Sequence, residues 1–330
     1  MSIGLLASVP AKLNKLLNRL TQQRGDNLDN LDVTVSSRLA SSDSRLNHLD
    51  MDVSKAKGRL RSQKFTSSGS FTVPDGVYLV WATLVGGGGG GGGGAYGITS
   101  GSNYSYCYGG GGGGGAEAVI NYPITVSPGD VLNCYIGAGG TGGAGGTSSS
   151  RNGGDGNYGG TTYIQLSGSS VVGALGGYRG AGGVSGTVGH EGYGGGAIYY
   201  KDSVHNCPGG IGGNGGRENA NNTVNAQNGQ GVVWPYGTAL AGSYPGSGQG
   251  SRIRAGGGGG ASLFGKGGQG GDGASQSQSV VATAGHDATG YGAGGGGGGG
   301  GDSSGGDTYQ NGKAGGNGSP GLIILAWIGA

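Results

Sequence analysis

Tyrosine is the residue type used most unusually in this 330-residue chain, with 17 Tyr against 3 Phe. A tyrosine joins a flat, rigid ring to a hydroxyl at low entropic cost, and binding loops favour it beside Gly, Ser and Asn for that reason. Tyr104, Tyr106 and Tyr108 alternate between two glycine runs, and Tyr199 and Tyr200 precede Lys201 and Asp202. Trp234, Tyr236 and Tyr244 occupy a stretch without long glycine runs. These side chains are the candidate contacts for a binding partner, with Asp202, Asn221 and Asn222 available for polar contacts. The competing use of the same rings is packing, as caps over a thin core.

Other chemistries find less support. At this glycine frequency a G-x-G-x-x-G match arises by chance at ~2% of positions, and no GxxxxGK[ST] occurs, so no nucleotide site is expected. Gly267–Asp272 (GGQGGD) resembles the opening of a calcium-binding nonapeptide, but that fold needs tandem copies. His205 lies near Cys207, while His48, His190 and His286 stand alone; no CxxC or His-x-His pair exists, and no metal or other cofactor is expected. Glu117, Glu191 and Glu218 form no acid–base pair that strand geometry would place, so the expectation is a protein that is not an enzyme. Cys107, Cys134 and Cys207 are too few and too scattered for a disulfide framework, which favours reduced thiols.

The elements that must position these residues fall into two modules. The chain holds 92 glycines, of which only Gly4, Gly25 and Gly58 precede residue 65. Residues 1–64 carry 11 Lys/Arg against 6 Asp/Glu, whereas the remainder carries 8 against 11. The overall charge of +2 argues neither for nucleic acid nor for an acidic partner. An ordinary α/β enzyme is excluded because glycine costs the most ordering entropy and adds no side chain to a core. Collagen is excluded by 8 prolines and no chain-long Gly-X-Y repeat. No apolar run reaches the ~18 residues of a membrane span. The start, MSIGLLASVPAKLNKLL, places charge after its apolar patch, the reverse of a secretory signal.

The first module reads as helical. Leu13, Leu16, Leu17 and Leu20 mark one face of a helix, with Lys12, Lys15, Arg19 and Arg24 elsewhere on it. Residues 1–24 are thus an amphipathic docking helix, for a partner protein or for a membrane surface. Beyond Gly25 a heptad sets Leu39, Leu46, Val53 and Leu60 at a positions, with Leu28, Val35 and Leu49 at d. Asp32 and Ser42 interrupt that seam, and Ala56 fills the last d position. Residues 25–64 are expected to form an oligomerising coiled coil, dimer or trimer, because one helix cannot bury such a stripe alone.

The second module, residues 65–330, is mainly β. Strands are predicted at 70–73, 77–85, 116–126, 131–136, 161–166, 171–175 and 322–328, with Pro74-Asp75-Gly76 and Ser127-Pro128-Gly129-Asp130 as turns. Their number suggests a small antiparallel β-sandwich, in which the last strand returns to the sheet of the first. The insertions carry a three-residue period: Ala138, Thr141, Ala144; Asn152, Asp155, Tyr158; Pro208, Ile211, Asn214, Arg217; Lys266, Gln269, Asp272; Ala314, Asn317, Pro320. From Gly177 to Gly195 every third residue is glycine. Three residues per turn is the repeat of polyproline II. Glycine on two faces of three lets neighbouring helices pair N–H with C=O laterally, so a polyglycine II bundle is expected on the sandwich, not disorder.

FTVPDGVYLVWATLVGGGGGGGGG, ITVSPGDVLNCYIGAGGTGGAGG, GGTTYIQL and GNGSPGLIILAWIG, in this order, resemble the glycine-rich domain of bacteriophage tail-fibre and adhesin proteins. The resemblance covers roughly 65–330 and rests on the order of blocks. It implies a virion fibre protein, made in the host cytoplasm without a signal peptide. Such a protein is often trimeric through its N-terminal helices. It docks on another virion protein at one end and meets a host surface receptor, polysaccharide or outer-membrane protein, at the other. A head-fibre or decoration protein without a receptor role is the alternative. A glycine-rich ice-binding or matrix protein is the second, since similar bundles occur in antifreeze proteins; a related arrangement occurs in some animal receptor ectodomains.

Overall fold

The computed structural model describes residues 13–27, 35–44, 60–97, 99–100, 104–105, 108–185, 206–216, 225–234, 237–240, 243–244, 246, 254–274, 281–301 and 310–329. The chain divides into two units, Met1–Leu60 and Arg61–Ala330.

In the first unit the described residues form two short helices, α1 (13–27) and α2 (35–44). Leu13, Leu16, Leu17 and Leu20 of α1 are all exposed, as are Val35 and Leu39 of α2. The break expected at Gly25 does not occur. A Cβ there would meet nothing, so α1 passes through it at the ~1 kcal/mol cost of a helical glycine. A continuous coiled coil over 25–64 is not shown; Leu28, Leu46, Leu49 and Val53 lie outside the described residues. Leu60 is a correction: it opens a strand, because 60–65 add an edge to the sheet that holds the C-terminal strand.

The strands in chain order are β1 (Leu60–Phe65), β2 (Gly69–Thr72), β3 (Leu79–Val85), β4 (Thr99–Ser100), β5 (Tyr104–Ser105), β6 (Ala118–Thr125) and β7 (Val131–Tyr135). They continue with β8 (Thr162–Leu166), β9 (Ser169–Ala174), β10 (Asn206–Cys207), β11 (Val232–Trp234) and β12 (Gly237–Leu240). Last come β13 (Phe264–Lys266), β14 (Thr289–Tyr291) and β15 (Leu322–Ile328). One sheet has the order β1-β15-β3-β6-β10 and the other β2-β7-β8-β9. All seven expected strands are present, but the last does not return to the sheet of the first of them: β2 lies in the second sheet, and β15 sits between β3 and β1, a strand that the sequence reading places in the heptad. Both expected turns are corners between the sheets, and they clamp each other. Val73 N–H donates to the Asp130 carbonyl (2.8 Å) and Gly129 N–H to the Val73 carbonyl (2.9 Å). Gly76 and Gly129 supply the positive φ (75° and 86°) that these corners need.

Alternation along the strands builds the core. Val80, Ala82 and Leu84 of β3 and Ile323, Leu325 and Trp327 of β15 face Phe71, Leu132, Cys134 and Ile164 of the second sheet. The Phe71 and Trp327 rings meet at 4.8 Å. A second cluster, including Val85, Ala116, Ala118, Val232, Ala261 and Leu322, closes the junction with the bundle. Glu117 is buried there, its carboxylate accepting the Leu175 N–H at 3.0 Å.

The bundle continues the strands without a slip in register. Val85 pairs with Ala118 in the sheet; Gly86, Gly89, Gly92 and Ala95 then donate to Glu117, Gly114, Gly111 and Tyr108. In the same segment Gly87, Gly90, Gly93 and Tyr96 donate to 151–160, and Gly88, Gly91, Gly94 and Gly97 to 310–319, at 2.8–3.1 Å. Carbonyls of 86–97 accept from 137–146, 175–183 and 292–301. This helix therefore turns every three residues and lies inside a hexagon of six others. The 254–261 and 292–301 segments are ringed by six in the same way.

The position in this array explains the sequence of each segment. A helix ringed on all sides can have no side chain on any face, and the interior segments hold the uninterrupted runs at 86–94, 256–260 and 294–301. A helix at the boundary can carry one side chain per turn into water. Ala138, Thr141 and Ala144 are exposed, while Gly140, Gly143 and Gly146 between them are buried. At about 3.1 Å per residue the 86–97 segment extends the molecule by roughly 37 Å.

Candidate recognition surface

Two of the bundle's outer helices and the second sheet form one continuous face. Thr162 pairs with Ala174 and Tyr163 with Gly173 across β8 and β9. Gly159, Gly156 and Gly153 then donate to Gly177, Gly180 and Gly183, so the same register runs from the sheet into the bundle. Tyr158 and Tyr178 come to stand opposite each other on this face, with ring centroids 5.5 Å apart edge to face. Both rings are exposed.

Charge holds this pair in place. The Arg179 guanidinium lies 5.2 Å from the centre of the Tyr158 ring and 2.9 Å from the Asp155 carboxylate. Asp155 also accepts the Gly182 N–H at 2.9 Å. Arg179 and Asp155 are each 43% exposed, so the ion pair orients its neighbours and stabilises the fold by about 1 kcal/mol at most.

A second tyrosine pair lies on the sheet. Tyr135 of β7 and Tyr163 of β8 are cross-strand partners whose rings stack at 4.6 Å and 16°. The β9 partner of Tyr163 is Gly173, so no side chain of β9 covers the ring from that side. Beside these rings runs a polar row across all four strands, Ser70, Asn133, Gln165 and Ser170. From Tyr158 to Tyr163 the strip spans about 16 Å at extended-chain rise. Flat apolar rings beside amides, hydroxyls and one ion pair can stack on a ring and bond its polar rim.

The residues singled out in the sequence are distributed differently. Tyr108 is buried at 1% exposure, and its carbonyl accepts the Ala95 N–H, so its ring packs inside the domain. Tyr244 is exposed at 65%. Tyr104 lies in β5 and Trp234 in β11. Tyr106, Tyr199, Tyr200, Lys201 and Tyr236 lie outside the described residues. In sequence, Tyr104 and Tyr199 follow the bundle helices that run to Gly97 and Ser185. Trp234 instead follows Val232, which packs at the junction with Val85 and Leu322. The Tyr158–Tyr178 and Tyr135–Tyr163 pairs carried only one signal in sequence, a tyrosine on the outward phase of a three-residue or two-residue repeat.

The remaining reactive groups are shielded. Burial pushes the Cys134 thiol up to about 12 and the Cys207 thiol to about 11, far from the thiolate needed for nucleophilic chemistry. Among the described residues no three His, Cys, Asp or Glu side chains stand together.

A small sandwich whose strands run on as a glycine-walled bundle with exposed aromatic edges defines a glycine-rich domain protein. The chain belongs to the glycine-rich domain family, whose model matches residues 66–328. No curated protein matches it.

Proposed function

We propose that this chain is a bacteriophage virion fibre protein that docks on the particle through its N-terminal helices and contacts the host surface through its glycine-rich domain. The observation that carries this reading is the tyrosine strip, displayed on segments whose glycines are hydrogen-bonded to neighbouring helices. Every turn of the interior helices is tied to its neighbours, and recognition favours side chains displayed on rigid scaffolds. The exposed leucines of α1 support docking on another virion protein, and the free seam residues Val35 and Leu39 support a homo-oligomer, a trimer in this reading. The ligand would be a surface polysaccharide or outer-membrane protein, and no cofactor takes part.

The test is adsorption of particles to host cells. Alanine at Tyr158 and Tyr178 together, at Tyr104 and Tyr106 together, or at Trp234 with Tyr236 is expected to lower adsorption at least tenfold in one set or more, with particle assembly intact. Unchanged adsorption in all three sets would leave a head-fibre or decoration role. The exposed row of Ala138, Thr141 and Ala144 favours the ice-binding reading, but the next row, Asn152, Asp155 and Tyr158, breaks its regularity.

A further inference from the structure

Two kinds of glycine occupy this domain. In the bundle, at Gly90, Gly176 and Gly180 for example, a Cβ would collide with a backbone carbonyl, so the fold itself demands glycine. Gly173 in β9 is different. A Cβ there would stand 3.4 Å from the Tyr163 Cβ, 3.5 Å from the Thr162 carbonyl oxygen and 4.0 Å from the Thr161 methyl, ordinary contacts that leave room for a side chain. Its φ is not in the left-handed region, and the register shift of this strand pair falls elsewhere, between Ile164 and Gln165. A glycine inside a strand weakens it, and where no turn or bulge requires it, bare backbone marks the close approach of another molecule.

That bare backbone lies beside a bare ring. Tyr135 stacks on one face of Tyr163 at 4.6 Å, and the opposite face looks across Gly173. Five residues beyond Gly173, on the continuation of β9, Tyr178 meets Tyr158. Exposed Thr161 lies between the two ring pairs, and Gln165 and Ser170 continue the ledge past Tyr163. Over 131–136, 155–165 and 170–179 the only charged residues are Asp155 and Arg179, and these pair with each other. Val131, an aliphatic side chain that this sheet leaves 43% exposed, sits at the far corner opposite Thr72.

We infer that the ledge over Gly173, walled by Tyr163 and reaching Tyr178, is a subsite for a linear neutral polysaccharide, one sugar ring lying flat on Tyr163. A sugar ring joins an apolar C–H face to a rim of hydroxyls, which suits a tyrosine face flanked by Thr161, Gln165 and Ser170. A linear chain suits platforms at Tyr163 and Tyr178 that lie in line along one segment. A protein partner needs a continuous apolar centre, which the ledge lacks. An acidic polymer would meet a guanidinium already neutralised by Asp155. The inference rests on the reading that the tyrosine strip is a contact surface, and it names the class of ligand.

The test is native electrophoresis of the full chain through gels containing dextran, mannan or hydroxyethylcellulose, with polygalacturonate as the acidic counterpart. At least one neutral polymer is expected to retard the chain, and polygalacturonate is not. Gly173→Val, which fills the ledge, should weaken that retardation at least fivefold with an unaltered urea midpoint; Gly173→Ala takes its place if the valine shifts the midpoint. Ala314→Val, exposed on another bundle segment, should keep full retardation. Retardation that ignores the change at Gly173, or that only polygalacturonate produces, would overturn the inference. So would passage unretarded by all three neutral polymers. If particle adsorption still depends on Tyr158 and Tyr178 in that case, the contact surface stands and only the sugar subsite falls; if it does not, both fall.

Discussion

Glycine is the residue on which this fold turns, and its role differs between positions that look alike in sequence. At Gly90 a Cβ would fall inside the van der Waals shell of the Thr141 carbonyl oxygen, and at Gly183 inside that of the Tyr108 carbonyl. Both obstacles are backbone and cannot swing aside. We expect Gly90→Ala and Gly183→Val to lower unfolding stability by about 3 kcal/mol or more, and Ala144→Ser, on an exposed face, to stay within about 0.5 kcal/mol. Denaturant melts of the three variants would decide it, and an unaltered midpoint for Gly183→Val would remove the packing argument. The buried thiols give a second test. In the unfolded chain a thiol ionises near 9, while in the fold Cys134 keeps its proton up to about 12. The native state then binds more protons than the unfolded state between these values, so stability falls as pH rises from 9 towards 12. Cys134→Ala should flatten that alkaline slope by up to one proton, measured by urea melts across pH 8.5–11; an equal slope would refute the assignment.

At the scale of elements, a polyglycine II helix has no internal hydrogen bonds, and its stability comes wholly from its neighbours. The number of neighbours therefore sets the pattern of protection. In 86–97 each phase of the three-residue turn has its own acceptor helix, so every amide is bound. In the boundary segment 151–160 Gly153, Gly156 and Gly159 bond to one neighbour and Gly154, Asn157 and Gly160 to another, while Asp155 and Tyr158 direct their side chains to solvent. Amide exchange should be slow throughout 86–97 and should alternate with period three in 151–160, fastest at Asp155 and Tyr158. Uniform exchange along 151–160 would contradict the lattice described here. The same reasoning accounts for what the repeat made legible. Period-three spacing announced the boundary helices, whereas the pure runs carry no period and only the hexagon reveals that they are the interior.

At the scale of the molecule, the sandwich sets the order in which helices fill the array. Because β3, β6 and β15 are neighbours in one sheet, their continuations 86–97, 108–117 and 310–321 begin already paired. A bundle without side chains has little apolar area to bury, so its assembly depends on this template. The N-terminal unit raises a separate expectation. Leucines left exposed on α1 and α2 call for a partner, and light scattering should give a trimer's mass for the full chain. Replacing Leu46 and Leu49 with Asp should reduce that mass to a monomer's; an unchanged mass would show that the seam is misplaced.

Local pattern settled much of this protein in advance. Alternating apolar residues between turn signals located seven strands of the sandwich, because side-chain direction in a strand depends only on neighbours in sequence. The three-residue spacing of non-glycines likewise announced the threefold helices. Partnership was decided elsewhere. Leu60 satisfies a heptad as well as it satisfies a strand, and only the open edge of β15 makes it the start of β1. Tyr108 reads as one of three alternating rings, yet the return of the chain into the bundle buries it, while Tyr158 and Tyr178, twenty residues apart, are brought ring to ring. Such pairings depend on register between distant segments, and register is a property of the assembled sheets and hexagon, which no window of sequence contains.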